Sequence, residues 1–194
     1  MRPGLGMQMV SANAHESALV AAAVVSGDSP APHAGLLRLH RRSLINVLVM
    51  GATRVEREDV ARAFHQDSPL RSGPFVRVDC SVDEERLCRA LHTWMSGAFD
   101  SSDSSLMVAE RGTLYLENID SLSSHAQRLL LTFVSHHAGA RQFSDGASWG
   151  GRLVAGSGAH LGDQVMEARF LEPLYDCLDK ARIELDSSWQ GGVA

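Results

Sequence analysis

Apolar and polar residues along this chain follow two alternating periods. Short, nearly continuous apolar runs at Ile45–Met50, Phe75–Val78, Thr113–Leu116, Arg152–Ala155 and Ala181–Leu185 predict buried strands. Between them apolar residues recur at helical spacing. Val60, Ala61 and Phe64 share one face of a helix expected over Glu58–Gln66. Leu87, Leu91 and Trp94 stand at i, i+4 and i+7, and Ala126, Leu129, Leu130 and Phe133 line a helix over Ser124–Ser135. A further helix is expected near Gln164–Leu178. Ser81-Val82-Asp83-Glu84 reads as a capping box opening the second helix, with Ser81 as cap and Glu84 reaching back. Strands and helices alternating at these lengths imply an α/β fold, a three-layer αβα sandwich around a parallel sheet of five strands. Ligands of such sheets sit beyond the carboxyl ends of the strands, where Gly51, Glu117 and Ser157 fall.

The flanks and two loops break this alternation. Residues 1 to about 33 are rich in Ala, Ser, Gly and Pro, and Ser29-Pro30-Ala31-Pro32 is a breaker. Residues 1–35 are expected to form a flexible arm with a short helix over His15–Val25, residues 36–186 the α/β domain, and 187–194 a tail. Met95–Ser105 is rich in Ser and Asp, and His136–Gly151 is rich in Gly and carries Phe143 and Trp149. Insertions of this length in a domain are usually functional or disordered.

Composition narrows the function classes. A chain of 194 residues is long enough for one domain with a proper core. The net charge is −5, so no basic excess points to nucleic acid. Cys80, Cys88 and Cys177 form no C-x-x-C pair, which argues against a zinc site or a disulfide framework and suits a reducing cytoplasm. The nine histidines show no metal spacing. Ala18–Gly27 is apolar but short, follows His15 and Glu16, and has only Arg2 upstream, which argues against a signal peptide. No run approaches a membrane span.

Val47–His65 reads VLVMGATRVEREDVARAFH: strand, glycine turn, amphipathic helix. That is the layout of a phosphate-binding loop, whose pattern G-x-x-x-x-G-K-[ST] fixes the glycines, lysine and hydroxyl. Counted from Gly51, the second glycine position holds Glu56, the lysine position Arg57 and the hydroxyl position Glu58.

Taken with the segments that follow, this run resembles the AAA+ domain of sigma-54-dependent transcription activators, the bacterial enhancer-binding proteins. The family's loop reads close to VLITGESGTGKELVARAIH, which Val47–His65 matches without a gap. Ser68-Pro69 through Gly73-Pro74-Phe75-Val76 to Val78-Asp79-Cys80 matches SPR-x-x-GPFV-x-VNC, and Gly112–Ile119 matches GTLFLDEI. Ala126-Gln127 with Leu129-Leu130 matches AQ-x-x-LL. Arg152-Leu153-Val154-Ala155 opens RLIAAT, and Phe170 with Leu174-Tyr175 and Leu178 matches F-R-x-DLYYRL. The resemblance spans about Leu36–Leu185. It implies a five-stranded parallel P-loop NTPase-like domain, here without the helical lid, receiver domain or helix-turn-helix of the family, so no direct DNA binding is expected.

The chemistry implied by the resemblance is altered at each step. Phosphate-loop glycines let backbone amides approach phosphate oxygens. Here Gly51 remains, while Arg54 and Glu56 replace glycines and Glu56 would aim negative charge at a phosphate. Arg57 keeps the charge of lysine in a bulkier fork. Gly51, Thr53, Arg57, Glu58 and Glu117 therefore mark a vestigial nucleotide site. The family's aspartate–glutamate pair is Glu117-Asn118, and an amide is no base for water. Its polar sensor Thr-Asn is Ser157-Gly158, and its arginine-finger positions hold Leu171 and Cys177, with Arg169 shifted from them. The sigma-contacting signature GAFTGA survives as Gly97-Ala98-Phe99, the expected partner-binding residues, with Phe99 as an aromatic anchor.

These losses predict a non-hydrolysing module that works by protein–protein contact in transcriptional regulation. Its partner would be an active AAA+ activator, a sigma factor or RNA polymerase. No catalytic residue, metal or cofactor is expected, and ATP with magnesium would enter only as residual binding. Two alternatives stand beside it. One is an ATP-dependent activator in which Arg57 and Glu117 do the work of lysine and aspartate. The other is a fold repurposed outside transcription or decaying.

Overall fold

Strands and helices alternate from Val47 onward in the computed structural model, which describes residues 22–25, 43–51, 53–97, 104–140 and 149–185. The order is β1 (Ala22–Val25), β2 (Val47–Gly51), α1 (Arg54–Gln66), β3 (Phe75–Asp79), α2 (Glu84–Met95), α3 (Ser105–Val108), β4 (Thr113–Glu117), a 3-10 turn (Ile119–Ser121), α4 (Ser124–Ala140), β5 (Arg152–Ser157), α5 (Leu161–Met166), α6 (Glu172–Leu178) and β6 (Arg182–Leu185). The sheet is parallel throughout, with strand order β1-β6-β2-β5-β4-β3.

The expected strands are β2 to β6. The sixth, β1, pairs along β6 from Ala22↔Arg182 to Val25↔Leu185. The short helix expected over His15–Val25 is corrected for residues 22–25, which form a strand. The β6 edge offers unpaired amides and carbonyls, and an Ala-Ala-Val-Val segment with two β-branched residues suits an extended partner better than a helix.

The two-residue period sorts each strand between two cores. Leu48, Met50, Leu114, Leu116, Leu153 and Ala155 face α2, α4 and α6 through Leu87, Leu91, Leu130, Phe133, Leu174 and Leu178. Val47, Val49, Tyr115, Val154 and Ile183 face α1 through Val60, Ala61 and Phe64. Trp149, expected in a loop, is a core residue. It is buried, meets Phe133 edge-on with centroids 5.4 Å apart, and donates its indole N–H to the Leu106 carbonyl at 2.8 Å. On the α1 face His65 is buried, with Nδ1 at 3.0 Å from Thr113 Oγ1. Burial, then the charges of Arg62 and Arg152, hold its pKa below the usual value.

Four helical boundaries differ from expectation, one of them the end of α4, which runs on to Ala140 past the expected Ser135 and into the stretch expected as a loop. Helix α1 starts at Arg54, a full turn before Glu58, because Thr53 and Glu56 form a capping box. The Thr53 amide donates to Glu56 Oε2 at 2.7 Å, and the Glu56 amide donates to Thr53 Oγ1 at 3.3 Å. The box expected at Ser81–Glu84 does not form. Asp83 precedes α2 without a side-chain cap bond, Ser81 Oγ donates to Asp79 at 2.7 Å, and Glu84 serves Ser123 instead.

The helix expected over Gln164–Leu178 divides into α5 and α6. Ala168 turns left-handed (φ 54°), and the Arg169 and Phe170 amides both return to the Gln164 carbonyl, at 2.8 and 3.1 Å. Gln127, buried on α4, holds the break. Its Nε2 donates to the carbonyls of Leu122 (2.9 Å) and Arg169 (3.0 Å), and its Oε1 accepts the Leu171 amide at 2.8 Å.

Among the described residues no helix is long and apolar enough to cross a membrane, and no cluster of His, Cys, Asp or Glu has metal-binding geometry. The three cysteines are free.

Candidate nucleotide site

The carboxyl ends of β2 to β5 bring Gly51, Asp79, Glu117 and Ser157 to one edge of the sheet. Gly51 has φ 81°, and a Cβ on it would lie 2.3 Å from the Leu185 carbonyl oxygen, so only glycine turns the chain here. After the turn the chain enters α1 at once. Residues aligned with a phosphate loop thus form the first turn of a helix, with the Arg57 amide bonded to the Thr53 carbonyl at 3.1 Å.

Arg57 folds back from α1 into the sheet edge and is almost wholly buried. Its Nε donates to Glu117 Oε1 at 3.1 Å, and its Nη2 makes a short ion pair with the same oxygen. Its Nη1 donates to the Gly51 carbonyl at 3.1 Å, and Nη2 also reaches Asn118 Oδ1 at 3.3 Å. Glu117 is buried too, and its second oxygen accepts the Tyr115 hydroxyl. Burial, that hydrogen bond and the Glu117 charge push the Tyr115 phenol up, so it remains a donor. A buried charge pair persists where its remaining hydrogen-bonding capacity is met, and this one has partners on every side.

The network continues to β3. Asn118 stands in the left-handed region (φ 55°, ψ 45°), and its Nδ2 donates to Asp79 Oδ1 at 2.9 Å. Asp79 also accepts the Ser81 amide (3.2 Å) and hydroxyl (2.7 Å), Arg77 Nη2 (3.1 Å), and pairs with Arg54 at 3.4 Å. Burial raises the Asp79 carboxyl, but the hydrogen bonds from Ser81 and Asn118 and the Arg54 charge outweigh it and leave the pKa below the ordinary value. On the β5 side, Asp120 Oδ1 lies 3.1 Å from Ser157 Oγ and accepts the Gly158 amide at 3.3 Å.

The residues singled out from sequence therefore part company. Gly51, Arg57 and Glu117 come together through direct bonds. Thr53 is exposed and caps α1. Glu58 pairs with Arg62 (2.5 Å) and Arg77 (3.4 Å) on the flank of α1. Glu56, expected to face a phosphate, turns back to Thr53, where its charge also favours the helix N-terminus. Gly97 follows α2 with φ 69°, while Ala98 and Phe99 lie outside the described residues. Leu171 and Cys177 sit at the start and within α6, and Arg169 is exposed and paired with Glu167. The sequence reading missed Asp79, Tyr115 and Gly156. The available signal was Tyr115 and Gly156 standing where the motifs GTLFLDEI and RLIAAT have Phe and Ala.

A family model, the Sigma-54 interaction domain, matches residues 33–184. The chain belongs to that family. Its relatives are transcription regulators. The anaerobic nitric oxide reductase transcription regulator NorR of Aeromonas salmonicida (strain A449) is 32% identical over 140 residues, 69% of this chain and 27% of the relative. The transcriptional regulator VasH of Vibrio cholerae serotype O1 is 32% identical over 143 residues, 69% of this chain and 26% of the relative. This sigma-54 interaction domain thus spans about a quarter of the length of the curated relatives it matches. NtrX from Brucella abortus in complex with ATP superposes with TM-score 0.62 at 21% identity, over 84% of this chain and 36% of that one. The P-loop NTPase domain of a sigma-54 activator from E. coli superposes with TM-score 0.51 at 21% identity, over 75% and 99%. Both likenesses concern the fold.

Proposed function

We propose that this sigma-54 interaction domain acts in transcriptional regulation through protein–protein contact, without hydrolysing ATP. The observation that carries the reading is Arg57. The residue aligned with the phosphate-binding lysine is spent on Glu117, the residue aligned with the magnesium-binding carboxylate. A phosphate group could recruit Arg57 only by leaving a buried carboxylate unpaired. Breaking such a pair costs about 3–5 kcal/mol, or roughly 10²–10³-fold or more in affinity. Three of the loop amides, those of Thr53, Glu56 and Arg57, are already bonded within the capped helix and give no compensation. At the water-activating position, Asn118 donates to Asp79 and offers no base.

Titration with a fluorescent ATP analogue and magnesium, together with a phosphate-release assay, tests this. The expected result is no saturable binding at micromolar nucleotide and no release. Micromolar binding with measurable release would sink the proposal. For the regulatory side, the domain should comigrate on a sizing column with purified sigma-54 or with an active AAA+ activator. Comigration with neither counts against a role through those partners.

A further inference from the structure

The strand period places Tyr115, Glu117, Val154 and Gly156 on the sheet face that α1 covers, and Arg57 reaches them from α1. Tyr115 lies wholly in this core and lends its hydroxyl to Glu117. Gly156, on the adjacent strand, makes the room. A Cβ there would stand 2.5 Å from Tyr115 Oη and 3.1 Å from Cε2 and Cζ. A Cβ essentially never comes as close as the 2.5 Å to the hydroxyl, whereas the two 3.1 Å ring contacts need only a small shift, and Phe75 and Val154 pack in the same core as the ring.

We propose that Arg57, Glu117, Tyr115 and Gly156 form one co-adapted brace that does internally what a bound ligand would do: it ties the carboxyl ends of the strands into a single arrangement without nucleotide. The inference rests on the nucleotide-free reading of the same site and goes beyond it. It makes the altered site a built structure in place of a decayed one.

Each member depends on the others. Glu117 has two carboxylate oxygens to satisfy. Arg57 serves Oε1 and Tyr115 serves Oε2. The hydroxyl can occupy its position only opposite a residue with no Cβ. Arg57 then carries the brace to the Gly51 carbonyl on β2 and to Asn118, which passes it to Asp79 on β3. The motifs that this chain otherwise follows place Lys, Asp, Phe and Ala at these four positions. All four differ together, and each difference is used by a contact with another member.

A double-mutant cycle on the full chain tests the brace. Gly156→Ala alone should lower the melting temperature by roughly 2–10 °C, as overpacking does in a domain of this size. In the Tyr115→Phe background, which removes the obstructing hydroxyl, the same change should cost no more than the about 1–2 °C that independent sites leave unexplained. If Gly156→Ala alone does not fold, recovery of a folded Tyr115→Phe/Gly156→Ala protein is the expected result. Equal losses on both backgrounds, no loss in either, or a double variant as insoluble as the single one would overturn the brace. Melting with and without magnesium–ATP separates the two proposals. An ATP-dependent rise in the unsubstituted protein overturns the nucleotide-free reading, whereas the Gly156 comparison alone decides the coupling.

Discussion

Arg57 Nε lies 3.1 Å from Glu117 Oε1, and side chains from a helix and a central strand thereby form an ion pair shut away from water. Removing one partner of such a pair leaves the other charged and buried. Arg57→Ala is expected to cost about 3–5 kcal/mol of stability in urea unfolding. Arg57→Met combined with Glu117→Leu should cost clearly less than the single change, since it leaves no lone charge. A single variant as stable as the parent would show that the pair is not held in solution.

Thr53 and Glu56 satisfy one another's backbone at the start of α1. Thr53→Ala should destabilise the domain by about 0.5–2 kcal/mol, the range for lost N-caps. Glu56→Gly, which restores the residue of the phosphate-loop pattern, should likewise destabilise without creating nucleotide binding, because Arg57 still occupies the site. Calorimetry and the ATP titration read the two halves separately.

Glu84 opens α2 but serves α4. Its carboxylate accepts both the amide and the hydroxyl of Ser123, each at 2.7 Å, and the Ser123 hydroxyl in turn accepts the Ala126 amide at 3.3 Å. Glu84→Ala should cost about 1–2 kcal/mol in urea unfolding, with Glu84→Gln milder because an amide oxygen still accepts. The increase in amide exchange should centre on the first turn of α4. An effect confined to α2 would contradict the cross-element bond.

Among the described residues, His65 and Asp79 give stability a dependence on acid pH, both with folded pKa values below the unfolded ones. In each case the unfolded chain binds the proton first on acidification, so stability rises with pH across the window. For His65 the contribution is complete above the unfolded value of about 6.5 and is lost as pH falls through the lower folded value. For Asp79 it is complete above about 3.9 and lost on further acidification. Urea midpoints between about pH 7 and pH 5 should fall for the parent and flatten in His65→Gln, and the more acidic fall should flatten in Asp79→Asn. Profiles that run parallel to the parent would refute the assignment.

Strand positions and core faces were legible because apolar runs and helical spacing report burial directly. Val47–Val49, Leu87–Leu91 and Leu114–Leu116 fall where their pattern places them. What the pattern lacks is partner choice. Glu84 has the spacing for a local box with Ser81, yet Asp79 takes Ser81 and Ser123 takes Glu84, both from outside the helix. Thr53-x-x-Glu56 carries the same signature at positions that the phosphate-loop pattern also covers, and there the local box does form. Trp149 lay in a glycine-rich stretch with no period, so only tertiary packing could assign it to the core. Within the site, the lost chemistry was readable residue by residue. The mutual bonding of Arg57 and Glu117 was not, since it joins α1 to β4 through space.

Gln127 fastens the turn between α5 and α6 to helix α4 at both a carbonyl and an amide. Helix α4 and the turn that carries Leu171 are therefore mechanically one piece. Loss of the Gln127 side chain would free the Arg169 carbonyl and the Leu171 amide at one stroke, loosening the head of α6 from α4.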